Sequence, residues 1–337
     1  MKEAMLYEQL SEGKVRCNLC NHRCTIKDGN YGICGVRQNR DGSLYSLVYD
    51  RIVASHIDPI EKKPLFQFYP GSRAYSIATV GCNFRCRHCQ NFDISQFPIE
   101  RKGHIVGDKM TPEQIVKEAD GSGCKSIAYT YTEPTVFFEL AYDTAQIAHP
   151  REIKNIFVSN GYMTSDALRE ISSYLDGINI DLKAFTEKFY KEICGGRLQP
   201  VLDNIKLAKE LGIWVEVTTL VIPTLNDSED ELQKIAEFIR DVDADIPWHI
   251  SQFYPTHNLT TLPRTPVETL HSARVIGMRA GLRYVYEGNV PGRGNESTYC
   301  HQCGELLIER WGYSILKNKI QNSHCPSCNT SIAGFGL

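Results

Sequence analysis

Cys82, Cys86 and Cys89 stand in a C-x3-C-x2-C spacing on the stretch Gly81-Cys82-Asn83-Phe84-Arg85-Cys86-Arg87-His88-Cys89-Gln90-Asn91, directly after the strand-like run Ser76 to Val80. Three thiolates on a short loop can each hold one iron of a [4Fe-4S] cube, which leaves the fourth iron without a protein ligand. An iron with an open position is a place for chemistry. A structural zinc site normally takes four protein ligands in two pairs, and a redox dithiol needs only C-x-x-C, so neither accounts well for this trio. Zinc stays the alternative.

Two further cysteine groups flank it. Cys17, Cys20, Cys24 and Cys34, with Gly29, Gly32 and Gly35 among them, make a four-ligand knuckle. Zinc and a further iron-sulfur cluster are both chemically sensible there, because each accepts four thiolates. The expectation inclines to zinc or another structural site, with free core cysteines as the plainer alternative and His22 at the surface or beside the ligands, not one of them. Cys300, Cys303, Cys325 and Cys328 repeat a C-x2-C pair with 21 residues between the pairs. That spacing predicts a tetrahedral zinc or iron site in a zinc-ribbon or rubredoxin-like knuckle, with Leu306 to Ile308 and Tyr313 to Leu316 as its short strands. So small a module cannot bury enough core to fold alone, and metal binding worth about 10 kcal/mol or more supplies the deficit.

The cysteine loop, with His88 before its last Cys, resembles the signature of the radical S-adenosylmethionine (SAM) superfamily. The resemblance implies that the amino and carboxylate groups of SAM chelate the open iron. It also implies that an electron from the cluster splits SAM into methionine and a 5'-deoxyadenosyl radical.

The elements that position this loop can be read from the rest of the chain. From Ser76 onward, strand-like and helix-like segments alternate. Strands are expected at Ser126 to Tyr131, Asn155 to Ser159, Ile178 to Leu182, Trp214 to Ile222, His249 to Tyr254 and Tyr284 to Tyr286. Helices are expected from a Thr111-Pro112-Glu113-Gln114 start, at Pro134 to Ala148, Ser165 to Tyr174, Thr186 to Leu211, Asp227 to Val242 and Pro266 to Ala280. About seven strands separated by helices imply parallel pairing. The fold expected is α/β, a radical SAM-type incomplete parallel (β/α) barrel flanked by small N- and C-terminal cysteine knuckles, with a doubly wound open sheet as the alternative. The divisions expected are a knuckle at 1–40, an extended lead-in at 41–75, a core at 76–296 and a second knuckle at 297–337.

In parallel barrels the working face lies at the C-terminal ends of the strands. Cys82, Thr132-Glu133-Pro134, Asn160-Gly161 and Asp181-Leu182-Lys183 all follow or end strands, so four motifs land at one end. Glu133 can accept the N–H groups of a bound amino acid; an N-terminal helix Glu on the dipole is the plainer reading. It resembles the family's Gly-Gly-Glu element but has Tyr131 and Thr132 before it. Asp181 and Lys183, two apart on a strand, share a face, and without the family an internal ion pair explains them equally. With it, Asn160, Asp181 and Lys183 look like ribose and carboxylate contacts for SAM, with His88 and Thr132 also toward the cofactor. Val158 is apolar where glycyl-radical activases tend to carry an Asp. Lys62 and Lys63 are either solvated charges or, if their loop folds over the cluster, neighbours of an anionic cofactor. Thr218 to Asn226, Trp248 to Pro255 and Gly288 to Gly292 are expected to line the remaining cavity. His249 reads as a satisfied core histidine, Cys124 as core packing, and Cys194 as either core or substrate-facing.

Composition limits the partners. The 337 residues carry a formal net charge of -3, so no overall positive field favours nucleic acid. No run of about 18 apolar residues is present, and the 13 cysteines fall mostly in tight groups, which suits metal sites in a reducing compartment. A cytoplasmic protein without membrane contact is expected. Over nearly the whole chain the motifs resemble the radical SAM member of the AmmeMemoRadiSam system, related to pyruvate formate-lyase activating enzyme. That resemblance implies Memo-like and AMMECR-type partners, an electron donor, and hydrogen abstraction from an unidentified substrate, a protein among the candidates. A glycyl-radical activase differs only in substrate. A non-catalytic zinc-binding scaffold is the alternative of another class.

Overall fold

The structure is a computed structural model describing residues 1–101, 103–290 and 295–337. Its centre is an eight-stranded sheet. Strand β1 (Ala54–Pro59) runs antiparallel to β2 (Arg73–Ala78). From β2 the pairing is parallel through β3 (Ser126–Tyr129), β4 (Lys154–Ser159), β5 (Gly177–Asp181), β6 (Trp214–Val221), β7 (Trp248–Gln252) and β8 (Val285–Gly288). Among the described residues β1 and β8 do not pair, so the barrel stays open on that side.

Each parallel crossover contains a helix. These are α1 (Pro112–Gly121), α2 (Phe138–Ala148), α3 (Ser165–Ile171), α4 (Gln199–Glu210), α5 (Glu229–Val242) and α6 (Val267–Ala280). Strands covered on both faces have no solvent side and read as continuous apolar runs. Ile127, Ala128 and Tyr129 on β3 and Ile156 and Phe157 on β4 are all fully buried. Helix α1 starts with the capping box that the sequence announces: Thr111 Oγ1 accepts the Gln114 N–H at 3.3 Å, and Gln114 Oε1 accepts the Thr111 N–H at 2.9 Å.

Two expectations need correction. The segment 41–75 is not only a lead-in, because β1 lies within it and forms the sheet edge. Its residues Ser55, His56 and Ile57 are all exposed, so the strand lacks the apolar run of its buried neighbours. The helix expected over Thr186 to Leu211 is broken into a turn at Glu187–Phe189, a wider turn at Tyr190–Cys194, and α4. The carbonyls of Ile193 and Cys194 accept the backbone N–H groups of Arg87 (2.9 Å) and Arg85 (2.7 Å). The cysteine loop takes carbonyls that a continuous helix would use.

The connection from β1 to β2 fills the inside of the barrel. Glu216 on β6, fully buried, accepts the backbone N–H groups of Phe66 (3.0 Å) and Gln67 (2.9 Å), and Asn179 on β5 donates to the Pro64 carbonyl at 2.8 Å. Interior polar side chains thus anchor backbone that would otherwise lack partners.

The C-terminal knuckle packs against this plug. Its sheet has strands Thr298–Tyr299, Leu306–Trp311 and Ser314–Asn318. Arg310 donates to the Phe66 carbonyl at 2.6 Å and lies 3.7 Å from Glu61, while Phe335 stacks on Phe68 with ring centroids 4.9 Å apart. The N-terminal cysteine segment docks on the barrel through separate contacts: Thr164 donates to the Asn18 carbonyl at 2.8 Å, and the buried Arg37 pairs with Glu139 on α2.

Candidate active site

A cavity of about 510 Å³ opens at the C-terminal ends of the parallel strands. Cys82, Cys86, Cys89 and His88 from the loop after β2 line it, as do Thr132 and Glu133 after β3, Asn160 after β4, and Asp181 and Lys183 at and beyond the end of β5. All nine site residues expected for the cluster and SAM therefore meet in one space. The volume is that of a site for one drug-sized ligand.

The loop is held from both sides. Asn91 donates to the Tyr131 carbonyl at 2.7 Å, Gln96 to the Phe84 carbonyl at 3.3 Å, and the Cys89 sulfur lies 3.3 Å from Ser95 Oγ. Behind it, a Cβ on Gly196 would lie 2.4 Å from Phe84, so only glycine admits the loop's aromatic anchor. Cys194 is fully buried beside Cys86 and does not line the cavity, which makes it a brace. Cys124 is buried in the core as expected.

Glu133 is 1% exposed and heavily used. Its Oε1 accepts from Thr135 N (3.1 Å), Thr135 Oγ1 (2.5 Å) and Ser159 Oγ (2.8 Å), and its Oε2 accepts the Asn160 N–H at 2.8 Å. Burial raises its carboxyl, and these donors work against that rise. A carboxylate has about four lone-pair sites, so Oε2 keeps room for one more donor. Asn160 in turn donates to Asn83 Oδ1 at 2.7 Å, which ties the end of β4 to the cluster loop.

Asp181 and Lys183 are joined at 2.8 Å. Burial works against the Lys183 charge, but Asp181 beside it raises the ammonium overall. His88, 5% exposed, has a buried Nδ1 without a partner among the described residues. Burial, with Lys183 nearby, draws it down to about 3, so the ring is neutral. Thr132 donates to the Thr79 carbonyl at 2.9 Å, and its backbone follows Tyr131, whose φ of 61° is a left-handed value costly for an aromatic residue. Tyr131 stands where the resembled motif has glycine.

The lysine pair was only half legible. Lys63 is buried, lies 2.6 Å from Asp58, and is not a solvated charge; Lys62 reaches the same carboxylate at 2.9 Å from a half-exposed position. Both line the cavity. Burial would raise Asp58, but bonds from Lys63, Tyr131 and Lys62 together hold it well below the usual carboxylate range. Burial also draws Lys63 down, to about 8. Two ammonium groups sharing one carboxylate leave surplus positive charge at the cavity wall. His249, buried and 2.6 Å from Glu216, is the satisfied histidine expected, though it too lines the cavity with Thr218, Gly288 and Asn289. Pro291 and Gly292 lie outside the described residues. Sequence reasoning missed Tyr313, which the C-terminal knuckle sends into the cavity wall.

In that knuckle the four sulfurs of Cys300, Cys303, Cys325 and Cys328 lie within 4.8 Å of one another, with Cys300 to Cys328 at 3.6 Å and Cys303 to Cys325 at 3.7 Å. Four sulfurs at about 2.3 Å from one ion in a tetrahedron are about 3.8 Å apart, so this quartet suits a single zinc or iron ion.

A family profile described as "Radical SAM superfamily" matches residues 76–239. An uncharacterised protein of Methanocaldococcus jannaschii is 47% identical over 98% of this chain and 99% of its own length. The pyruvate formate-lyase-activating enzyme of Clostridium pasteurianum is 24% identical over 48% of this chain and 67% of its own. SuiB of Streptococcus suis bound to S-adenosylmethionine shares the fold with a TM-score of 0.52 at 13% identity, covering 72% of this chain and 56% of that one. With three cysteines of the matched segment converging on one cavity at the strand ends, this chain belongs to the radical SAM superfamily and is an enzyme of that kind.

Proposed function

We propose that the enzyme is the radical SAM component of an AmmeMemoRadiSam system, acting in the cytoplasm with Memo-like and AMMECR-type partners on a protein substrate. The enzyme's cofactors are a [4Fe-4S] cluster and SAM, and together they supply a reductively generated 5'-deoxyadenosyl radical for hydrogen abstraction. The residues present suit that pair: three cysteines with no fourth thiol among the described residues of the cavity wall, and a neutral buried His88 with a spare ring nitrogen.

Each side chain then has a task. Cys82, Cys86 and Cys89 ligate the cluster. Glu133 fixes the ends of β3 and β4 and offers its last acceptor site to the SAM amine. Asn160, Asp181 and Lys183 meet the ribose and carboxylate, with Thr132 beside them. Lys63 adds positive charge to the wall of the same cavity. The plug at Pro64 to Gln67 and the C-terminal knuckle close off water, which protects a reactive radical.

The single observation carrying this reading is that nine expected residues, from four strand ends, line one 510 Å³ cavity. The cluster and SAM share that volume, so a substrate inserts only a small part of itself, as a protein loop can. Glycyl-radical activation is a second reading, favoured by the likeness to pyruvate formate-lyase-activating enzyme. Incubation with SAM, dithionite and each candidate partner, followed by electron paramagnetic resonance and intact mass, tests both. A partner-dependent mass change supports the proposal, and a stable glycine-centred radical supports the second reading. SAM cleavage unaffected by any partner would count against both.

A further inference from the structure

We infer that Cys17, Cys20, Cys24 and Cys34 hold a second [4Fe-4S] cluster seated against the loop of the first, and not a zinc ion. The spacing of the sulfurs separates the two cases. Thiolates around one zinc crowd within about 4 Å of one another, as the C-terminal quartet does. Among the described residues that quartet is the only set of three or more ligating side chains whose atoms all lie within 4.8 Å. No three of the four N-terminal cysteines, all described, meet that spacing, nor do Cys82, Cys86 and Cys89. Cysteines that hold different irons of one cube are kept apart by the cube.

What lies between those sulfurs agrees. The four cysteines, with Leu19, Ile26 and Val136, line a partly open cavity of about 20 Å³. Arg37 and Asn83 line the same cavity and are 2% and 1% exposed. Among the described residues neither Arg37 Nε nor Asn83 Nδ2 has a hydrogen-bond partner. The remaining Arg37 nitrogens are occupied by Glu139, the Met5 carbonyl at 3.3 Å and a 4.0 Å approach to the Cys17 sulfur. Leaving two buried donors unmet is costly. Inorganic sulfides of a cluster accept such N–H groups; a zinc ion in four thiolates adds no acceptor.

The position beside the SAM loop gives the cluster a use. Gly81, next to Cys82, has φ 101°, and a Cβ there would lie 2.6 Å from Val36 and 3.1 Å from the Cys34 carbonyl, so the two cysteine loops touch main chain to main chain. Arg85 of the SAM loop donates to the Ile33 carbonyl, and His22 Nε2 lies 2.8 Å from the Asn83 carbonyl. Four thiolates leave no open iron for SAM. The second cluster therefore stores one electron, taken from a low-potential one-electron carrier that is oxidised in the exchange, beside the site that consumes it.

Metal analysis of the full chain, purified anaerobically, tests this. The inference requires about eight iron and eight sulfide per chain, beyond whatever ion the C-terminal quartet holds. Cys20→Ser with Cys34→Ser should halve the iron and leave the C-terminal ion in place. Should that variant fail to fold, dithionite-reduced wild type still decides: two paramagnetic cluster signals are expected, of which SAM shifts one. About four iron with zinc in the N-terminal group, or a single cluster signal wholly shifted by SAM, would overturn the inference.

Discussion

Asn160 donates its backbone N–H to Glu133 Oε2 at 2.8 Å, and through this bond the end of β4 is fixed to the end of β3. Its side chain continues the link to Asn83 in the cluster loop. The carboxylate is thus first a strut for the site and then a contact for its ligand. Glu133→Gln puts an amide among buried donors, which leaves at least one unmet at about 1–3 kcal/mol. Lower thermal stability together with at least tenfold weaker SAM binding is expected, measured by calorimetry on reconstituted protein. Unchanged stability would show that the strut is not needed.

The Lys63 ammonium sets an alkaline signature. Its ordinary value is 10.5 and burial brings it to about 8 in the folded protein. Between those two values the unfolded chain holds a proton that the native chain has released, so stability from this group rises with pH across that window. Between pH 8 and 10 the gain is about 2 kcal/mol. Lys63→Met lacks it. Anaerobic urea unfolding of both proteins should show the difference widening in favour of wild type by about that amount, whereas a constant difference contradicts the assignment.

Gly196 gives a steric test. With a Cβ 2.4 Å from Phe84, Gly196→Ala must push the loop carrying Cys82 and Cys86. Overpacking of this kind costs about 1–3 kcal/mol. Iron retention after gel filtration should fall, and adding Phe84→Leu should restore it. Full retention in the single variant would mean that the loop position tolerates displacement.

Arg310 tests the docking of the C-terminal knuckle. Its side chain is fully buried against Glu61, and removing one partner of a buried pair typically costs about 3–5 kcal/mol. Arg310→Met should expose the knuckle to limited proteolysis and lower the thermal midpoint, and a chelator that competes for an ion at Cys300, Cys303, Cys325 and Cys328 is expected to do the same. Resistance equal to wild type in both cases would show an independently stable module.

Much of this was legible in the chain because the signals were local. Buried parallel strands such as Ile127 to Tyr129 announce themselves by unbroken apolar runs, and Thr111 with Gln114 spells a helix start. Residues just past those strands had to share one end of the sheet, so Cys82, Glu133, Asn160 and Asp181 could be grouped before any geometry was known. Long-range pairing was not legible. Nothing local says that Ser55 to Ile57 edge the sheet, that Phe66 and Gln67 plug the barrel through Glu216, or that Tyr313 returns from the far end of the chain to the cavity. The Gly195-Gly196 pair was a visible signal of close backbone approach, and Gly196 marks where the cluster loop packs.

The central claim is that Cys82, Cys86 and Cys89 support reductive cleavage of SAM, and the most direct measurement is 5'-deoxyadenosine formed from SAM and dithionite under strict anaerobiosis. The wild-type chain is predicted to release it together with methionine, while Cys86→Ala, folded by circular dichroism, releases none. Cleavage by Cys86→Ala at the wild-type rate, or none by a wild-type chain carrying its full iron, would contradict the assignment.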